Sequence, residues 1–170
     1  MTSVELVELA ASAGAKYIIS PDTNIDVIKR TRELGLVSMP GALTPTEILT
    51  AYNNGADFVK LFPIANLGPA YVKAVRARSA TYHDAVGGVN ETNLREYLDL
   101  GMCGAGIGGN LVNKKWVENG EFEKITEVAR TMVSIAEAEC ENESCAFGNQ
   151  RRQCGERRAD RGAVSCSVRV

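Results

Sequence analysis

Four glycines punctuate the chain at regular intervals. Gly14, Gly35, Gly55 and Gly101 stand 21, 20 and 46 residues apart, the last interval being about two units. Each closes a helical pattern and precedes an apolar run, as in SAGAKYII, ELGLVSM, NNGADFVKLF and DLGMCGAGI. Glycine directly after a helix is the usual left-handed cap. Helix, glycine, short strand, loop and helix in repetition is the grammar of a parallel sheet built from βα units. The repeat predicts strands at Lys16–Ser20, Val37–Met39, Phe58–Phe62, near Tyr82–Val86, and at Cys103–Ile107. It predicts helices over about 3–13, 24–34, 46–54, 69–77, 91–100 and 122–138. Helix starts carry cap signals: Thr2 or Ser3, then Thr44-Pro45 with Glu47, then Asn90 before Glu91.

Length bounds how many units fit. The chain has 170 residues, whereas a complete eight-stranded βα barrel takes about 250 and at least about 200. The expected fold class is therefore α/β, a partial (β/α)8 TIM barrel with about five of its eight βα units. The chain opens on a helix that hands straight to a strand, where a βα repeat places a strand first. An earlier strand is expected to be missing, and Met1 to be an internal methionine.

Composition is globular, with 45% hydrophobic and 24% charged residues. A net charge of -2 argues against nucleic acid as a partner. No apolar run approaches the roughly 20 residues of a membrane span, and the acidic, helix-patterned start MTSVELVELA is no signal peptide. No membrane partner and a cytoplasmic location follow as expectations.

The last segment differs from the rest. Residues 1–138 read as one incomplete barrel domain, and 139–170 as an irregular Arg/Cys-rich tail, disordered, with neither helical nor strand period. It holds Arg151, Arg152, Arg157, Arg158 and Arg161 but no lysine. Such text also fits an out-of-frame translation product. Cys140, Cys145, Cys154 and Cys166 are separated by four, eight and eleven residues. Only the first gap suits a zinc-binding pair, so these cysteines are read as incidental, with no metal and no cofactor.

Parallel α/β folds place function at the carboxyl ends of their strands. Here those ends read Ser20-Pro21-Asp22, Met39-Pro40-Gly41, Leu61-Phe62-Pro63, Val86-Gly87-Gly88 and Gly108-Gly109-Asn110. Lys60 is the informative residue. It lies inside an apolar run that must be an interior strand, on one face with Phe58 and Phe62. A desolvated lysine there loses its preference for the ammonium form and becomes a nucleophilic amine, as Schiff-base chemistry with a carbonyl substrate requires. The competing reading is a lysine at the strand margin that snorkels to solvent. Gly87-Gly88 and Gly108-Gly109 end the last two strands, each before helix-starting residues. Bare N–H groups in such places bind phosphate.

Taken in order, Ile-Ile-Ser-Pro (18–21), Met-Pro-Gly-Ala-Leu-Thr-Pro-Thr-Glu (39–47), Val-Lys-Leu-Phe-Pro (59–63), Val-Gly-Gly-Val (86–89) and Gly-Ile-Gly-Gly (106–109) resemble the 2-keto-3-deoxy-6-phosphogluconate aldolases. These also act as 4-hydroxy-2-oxoglutarate aldolases. The resemblance runs from about residue 2 to 138. It implies a class I aldolase on a (β/α)8 barrel, without cofactor or metal, and a homotrimer where the full barrel is present. The implied reaction cleaves a 2-keto-3-deoxy sugar-acid phosphate to pyruvate and glyceraldehyde 3-phosphate.

Residue by residue, Lys60 matches the Schiff-base lysine. Phe62 and Pro63 match the wall beside it, and Pro40 and Thr44 the preceding strand's loop. Gly87, Gly88, Gly108 and Gly109 match the phosphate cradle. Asn110 stands where many members carry Ser, and Val86 where many carry Thr.

Two departures stand out. The family's first three strands, with the proton-shuttling Glu and a substrate-gripping Arg and Thr, have no counterpart in this sequence. This implies impaired activity, the alternative being a non-catalytic remnant that binds phosphate or assembles with other subunits. The run from Arg78 to Asp84 is polar where the family has an apolar strand. One nucleotide string encodes the family's Pro-Leu-Ser-His-Ile-Pro in one frame and residues 78–83 of this chain in the next. A local frameshift, later restored, is one expectation; a genuine polar loop with His83 on the surface is its rival.

Overall fold

The computed structural model describes residues 1–77 and 83–141. Its strands are β1 (Tyr17–Ile19), β2 (Val37–Met39), β3 (Gly41–Ala42), β4 (Val59–Leu61), β5 (His83–Val86) and β6 (Gly104–Gly106). Its helices are α1 (Val4–Ser12), α2 (Ile25–Glu33), α3 (Pro45–Asn53), α4 (Gly68–Arg76), α5 (Leu94–Asp99), α6 (Lys114–Glu118) and α7 (Phe122–Glu141). All strand pairs are parallel, in the orders β1-β2 and β3-β4-β5-β6.

The two groups join at Pro40. Pro40 has no N–H, which interrupts the ladder between β2 and β3. The ribbon nevertheless continues across it. Ser38 O accepts from Asp57 N (3.0 Å) and Phe58 N (3.2 Å), and Pro40 O accepts from Lys60 N (2.9 Å). The strands thus follow one another in sequence order, as in a barrel wall and unlike a doubly wound sheet.

Alternation divides each strand between two faces. Val59, Leu61 and Ala85 point outward into the main core, with Ile48 and Ala51 of α3, Val72 of α4, Leu98 of α5 and Met132 of α7. Ile18 packs outward on Val7 and Val27. Fully burying an aliphatic side chain of this size stabilises by about 1.5–3 kcal/mol, so this outer layer is what holds the wall together. The inner face carries Tyr17, Ile19, Phe58 and Lys60. Phe58 packs there on Val37, Met39 and Cys103. Tyr17 and Ile19 are exposed, at 58% and 43%.

The repeat glycines serve as the sequence suggests. Gly14, Gly35, Gly55 and Gly101 all have positive φ, between 71° and 98°. Ser3 caps α1, its hydroxyl accepting from Leu6 N at 3.4 Å. Thr44 and Glu47 form a reciprocal capping box on α3, with Pro45 at the first turn.

Several boundaries differ from expectation. After Gly88 the chain makes a turn organised by Asn90, whose Oδ1 accepts from Thr92 N and Asn93 N, and α5 begins only at Leu94. After Gly109 a second turn intervenes, and α6 starts at Lys114 with Asn113 as its cap. Neither glycine pair therefore leads directly into a helix. Short polar side chains can close an isolated turn as readily as they cap a helix, which is why both readings fit the sequence. Helix α7 runs to Glu141, past the expected tail boundary at 138. The rest of the tail, and residues 78–82 of the polar run, lie outside the described residues. His83 and Asp84 belong to strand β5, so the reading of this part as a polar loop does not hold.

Candidate active site

Lys60 sits at the middle of β4 with Val59 and Leu61, its neighbours, fully buried on the outer face. Its own side chain goes to the inner face, where Nζ lies 4.4 Å from the Phe62 ring centroid. Burial holds its pKa below the ordinary lysine value, and the negative charge of Asp22 opposes this with a smaller effect. The amine is thus desolvated yet half-buried, so it is reachable.

Register decides what surrounds it. Gly41, Lys60, Asp84 and Gly104 are successive lateral partners across β3, β4, β5 and β6. Two of these positions carry no side chain, and the space is taken instead by the Pro21 carbonyl at Gly41 and by the Asp84 carboxylate at Gly104. The third is Asp84, only 7% exposed. Its Oδ1 is 3.0 Å from where a Cβ on Gly104 would stand. Phe58, one inward position toward the strand start, closes the floor.

The resemblance also pointed to the flanking residues. Pro40 is buried, and its carbonyl is tied to the Lys60 amide. Thr44 is exposed, and its hydroxyl is engaged in the α3 cap, 2.9 Å from Glu47 Oε2. Leu43, just before it, accepts a hydrogen bond from the Tyr71 hydroxyl, which joins α4 to this loop. Phe62 is half-buried and Pro63 exposed, and the peptide between them is cis.

The glycine pairs lie in neighbouring loops. Gly87 and Gly88 have φ of 98° and 75°, values L side chains rarely adopt. A Cβ on Gly88 would meet the Ala65 side chain at 2.8 Å, while Gly108 and Gly109 have nothing within 4 Å. Asn110 bridges the loops, its Nδ2 donating to Val89 O at 2.9 Å. Gly88, Gly109 and Asn110 are exposed, and among the described residues no acceptor takes their N–H groups.

Two carboxylates were not singled out from the sequence. Asp22 had appeared only as part of a strand end, and Asp84 only as part of a polar run. Register against Lys60 is the signal that brings Asp84 forward, and it exists only once β5 is aligned with β4.

A wall of consecutive parallel βα units, with a desolvated lysine on an inner strand and open glycine loops at the strand ends, defines a TIM-barrel type of active-site architecture. The comparisons with known proteins narrow this. The family model for KDPG and KHG aldolase matches residues 1–128, and the chain belongs to that family. It is 39% identical over 109 residues to the 2-dehydro-3-deoxy-6-phosphogalactonate aldolase of Escherichia coli (strain K12), a match covering 63% of this chain and 53% of that protein. It is 29% identical over 137 residues to the 2-dehydro-3-deoxy-phosphogluconate aldolase of Haemophilus influenzae, covering 78% of this chain and 64% of that one. A solved structure described as native KDPGal superposes with a TM-score of 0.74 at 33% identity, covering 81% of this chain and 66% of that chain. The chain thus spans between half and two thirds of the length of these relatives. Among the described residues, no helix is long and apolar enough to cross a membrane.

Proposed function

We propose that this chain carries the amine and phosphate side of a class I aldolase site. The reaction is cleavage of a 2-keto-3-deoxy sugar-acid phosphate to pyruvate and glyceraldehyde 3-phosphate, with Lys60 as the Schiff-base residue. The observation that carries the reading is the placement of Lys60, half-buried on the inner face beside Phe62, with its ammonium form disfavoured by burial.

The Lys60 amine adds to the C2 ketone, and loss of water gives a protonated imine. A base takes the C4 hydroxyl proton, the C3–C4 bond breaks, and its electrons pass through C2 to nitrogen. The aldehyde leaves, and the enamine regains a proton at C3. Water then releases pyruvate and restores the amine. Phe62, Pro63 and Pro40 shape the wall beside the imine, with Thr44 at the adjoining loop. The free N–H groups of Gly88, Gly109 and Asn110 suit the substrate phosphate, with Gly87 at positive φ shaping the first loop and Gly108 beside the second. Relatives named for the phosphogalactonate and phosphogluconate compounds make both sugar-acid phosphates candidate substrates. Residues 1–138 as the barrel part, 139–170 as a separate tail, cytoplasmic location and trimeric assembly of complete barrels belong to the same proposal.

A second reading is a non-catalytic remnant that binds phosphate or assembles with other subunits. The exposure of Tyr17 and Ile19 on the inner face favours it, since an apolar sheet face in water is an assembly surface. Borohydride trapping with pyruvate separates the two. A reduced pyruvyl adduct mapped to Lys60 and absent in Lys60→Ala supports the aldolase reading. A folded chain with no adduct supports the remnant.

A further inference from the structure

We infer that the side-chain amides of Asn93 and Asn110 are positioning groups for the substrate phosphate. They capture carbonyl oxygens of the first glycine loop, so that N–H groups are what the two loops present. This deepens the proposed function and rests on its phosphate reading.

An anion site made of backbone needs N–H groups turned toward the ligand and carbonyl oxygens, with their partial negative charge, turned away. The two loops have that polarity. In the loop after β5, Val86 O accepts from Ile64 N at 3.2 Å, Gly88 O from Asn93 Nδ2 at 3.1 Å and Val89 O from Asn110 Nδ2 at 2.9 Å. In the loop after β6, Gly108 O accepts from Leu111 N and Val112 N, both at 2.9 Å. The carbonyls are thus occupied, while the N–H groups of Gly88, Gly109 and Asn110 have no acceptor among the described residues.

The glycines alone do not fix this arrangement. Gly87 and Gly88 have positive φ and no Cβ, so the peptide planes around them turn at little cost. The peptide that carries the Gly88 N–H lies between two anchored neighbours, one held by Ile64 N through Val86 O and the other by Asn93 Nδ2 through Gly88 O. Asn93 stands at the N-cap position of α5, where an Asn side chain ordinarily accepts from the first helical N–H groups. Here it makes no such bond. It turns back over the loop instead, donating to Gly88 O and accepting from Asn90 N at 2.9 Å. Asn110 acts between the loops. Its side chain grips Val89 O, so its own N–H is held within one side-chain length of the first loop. Beyond the β5–β6 ladder, this is the one hydrogen bond joining the two loops among the described residues.

The test titrates the full chain with inorganic phosphate at constant ionic strength, following backbone amides by NMR, and measures borohydride trapping of pyruvate at Lys60 in parallel. In the unaltered chain the Gly88, Gly109 and Asn110 amides are expected to shift with phosphate. In Asn110→Ala and in Asn93→Ala, phosphate affinity should fall by about 2–10-fold, the effect of one lost hydrogen bond. The fall should exceed any change in the rate of trapping, because pyruvate carries no phosphate. Asn110→Gln, which keeps an amide donor, should recover part of the affinity. Unchanged phosphate affinity in both alanine variants overturns this inference alone. An equal loss of affinity and of trapping also overturns it, since the amides would then support the fold and not the polarity of the loops. Absence of any amide shift in the unaltered chain overturns the phosphate reading itself and this inference with it.

Discussion

Replacing Gly41 by Ala tests the packing that joins the loop after β1 to the Lys60 strand. The new methyl would stand 2.3 Å from the Pro21 carbonyl oxygen and 2.5 Å from its carbon, where ordinary contact begins near 3.4 Å. One of the two backbones must therefore shift by about 1 Å, because both contacts are backbone atoms and neither is a flexible side-chain end. Overpacking of this kind costs about 1–3 kcal/mol. Alanine recovers about 0.5–1 kcal/mol by restricting the unfolded backbone. The balance is a loss of up to about 2.5 kcal/mol, which for a chain of this size lowers the melting temperature by up to about 10 °C. Function should suffer more than stability. A displacement of about 1 Å at a reacting group costs on the order of 10²-fold, and Gly41 is the direct neighbour of Lys60. Gly108→Ala is the control, since nothing lies within 4 Å of its Cβ position. Thermal unfolding followed by circular dichroism, together with the rate of pyruvate trapping, reads both effects. If Gly41→Ala melts at or above the temperature of the unaltered chain and traps pyruvate at the same rate, the loop does not bear on β3 as described.

Two further outcomes follow from the titrating groups. Burial lowers the Lys60 pKa, so the cost of its ammonium is present in full below the folded value and is relieved as pH rises past the ordinary 10.5. Lys60→Met should therefore be the more stable protein at neutral pH, with the difference shrinking in alkali and no adduct at any pH; lower stability at neutral pH would contradict the burial. Glu47 is held below the usual carboxylate value by the Thr44 and Leu43 amides, then by the Thr44 hydroxyl. Its contribution is present above the unfolded value of 4.5 and lost as pH falls through the folded one. Thr44→Ala should cost about 1 kcal/mol and flatten the acid limb of the stability curve measured by urea unfolding.

How much of the fold is legible in the sequence depends on the range of the interaction. The glycine repeat is local, and five of the six strands fall within a residue or two of where the sequence places them; β3, after Pro40, was not expected. Lys60 was legible because alternation along one strand fixes its face. The start of α5 was not, because Asn90 closes a turn with the same short side chain that caps a helix, and α6 (Lys114–Glu118), capped by Asn113, was not expected at all. Asp84 falls inside the strand expected near Tyr82–Val86, but what it faces is not legible along the chain; only pairing with Lys60 and Gly104 shows it. Asp22 needed the most distant information. Its place follows from a missing side chain at Gly41, 19 positions away in the sequence.

The sequential strand order explains why so much of the candidate site gathers in this part of a barrel. In a doubly wound sheet the residues near one strand come from both halves of the chain. Here β3, β4, β5 and β6 are neighbours in space because they are neighbours in sequence. The amine and the two glycine loops therefore arise from consecutive βα units, and each unit is supported by its own helix through outward residues such as Leu61 and Ala85. The inner face of β1 has no such support. Ile18 is buried against α1 and α2, whereas Tyr17 and Ile19 on either side of it are open. Perturbations of the outer layer should accordingly act through stability, and perturbations of the inner layer of β3 to β6 through chemistry. A polar substitution at Ile19 removes exposed apolar surface, so it should reduce self-association without loss of stability or of the Lys60 adduct.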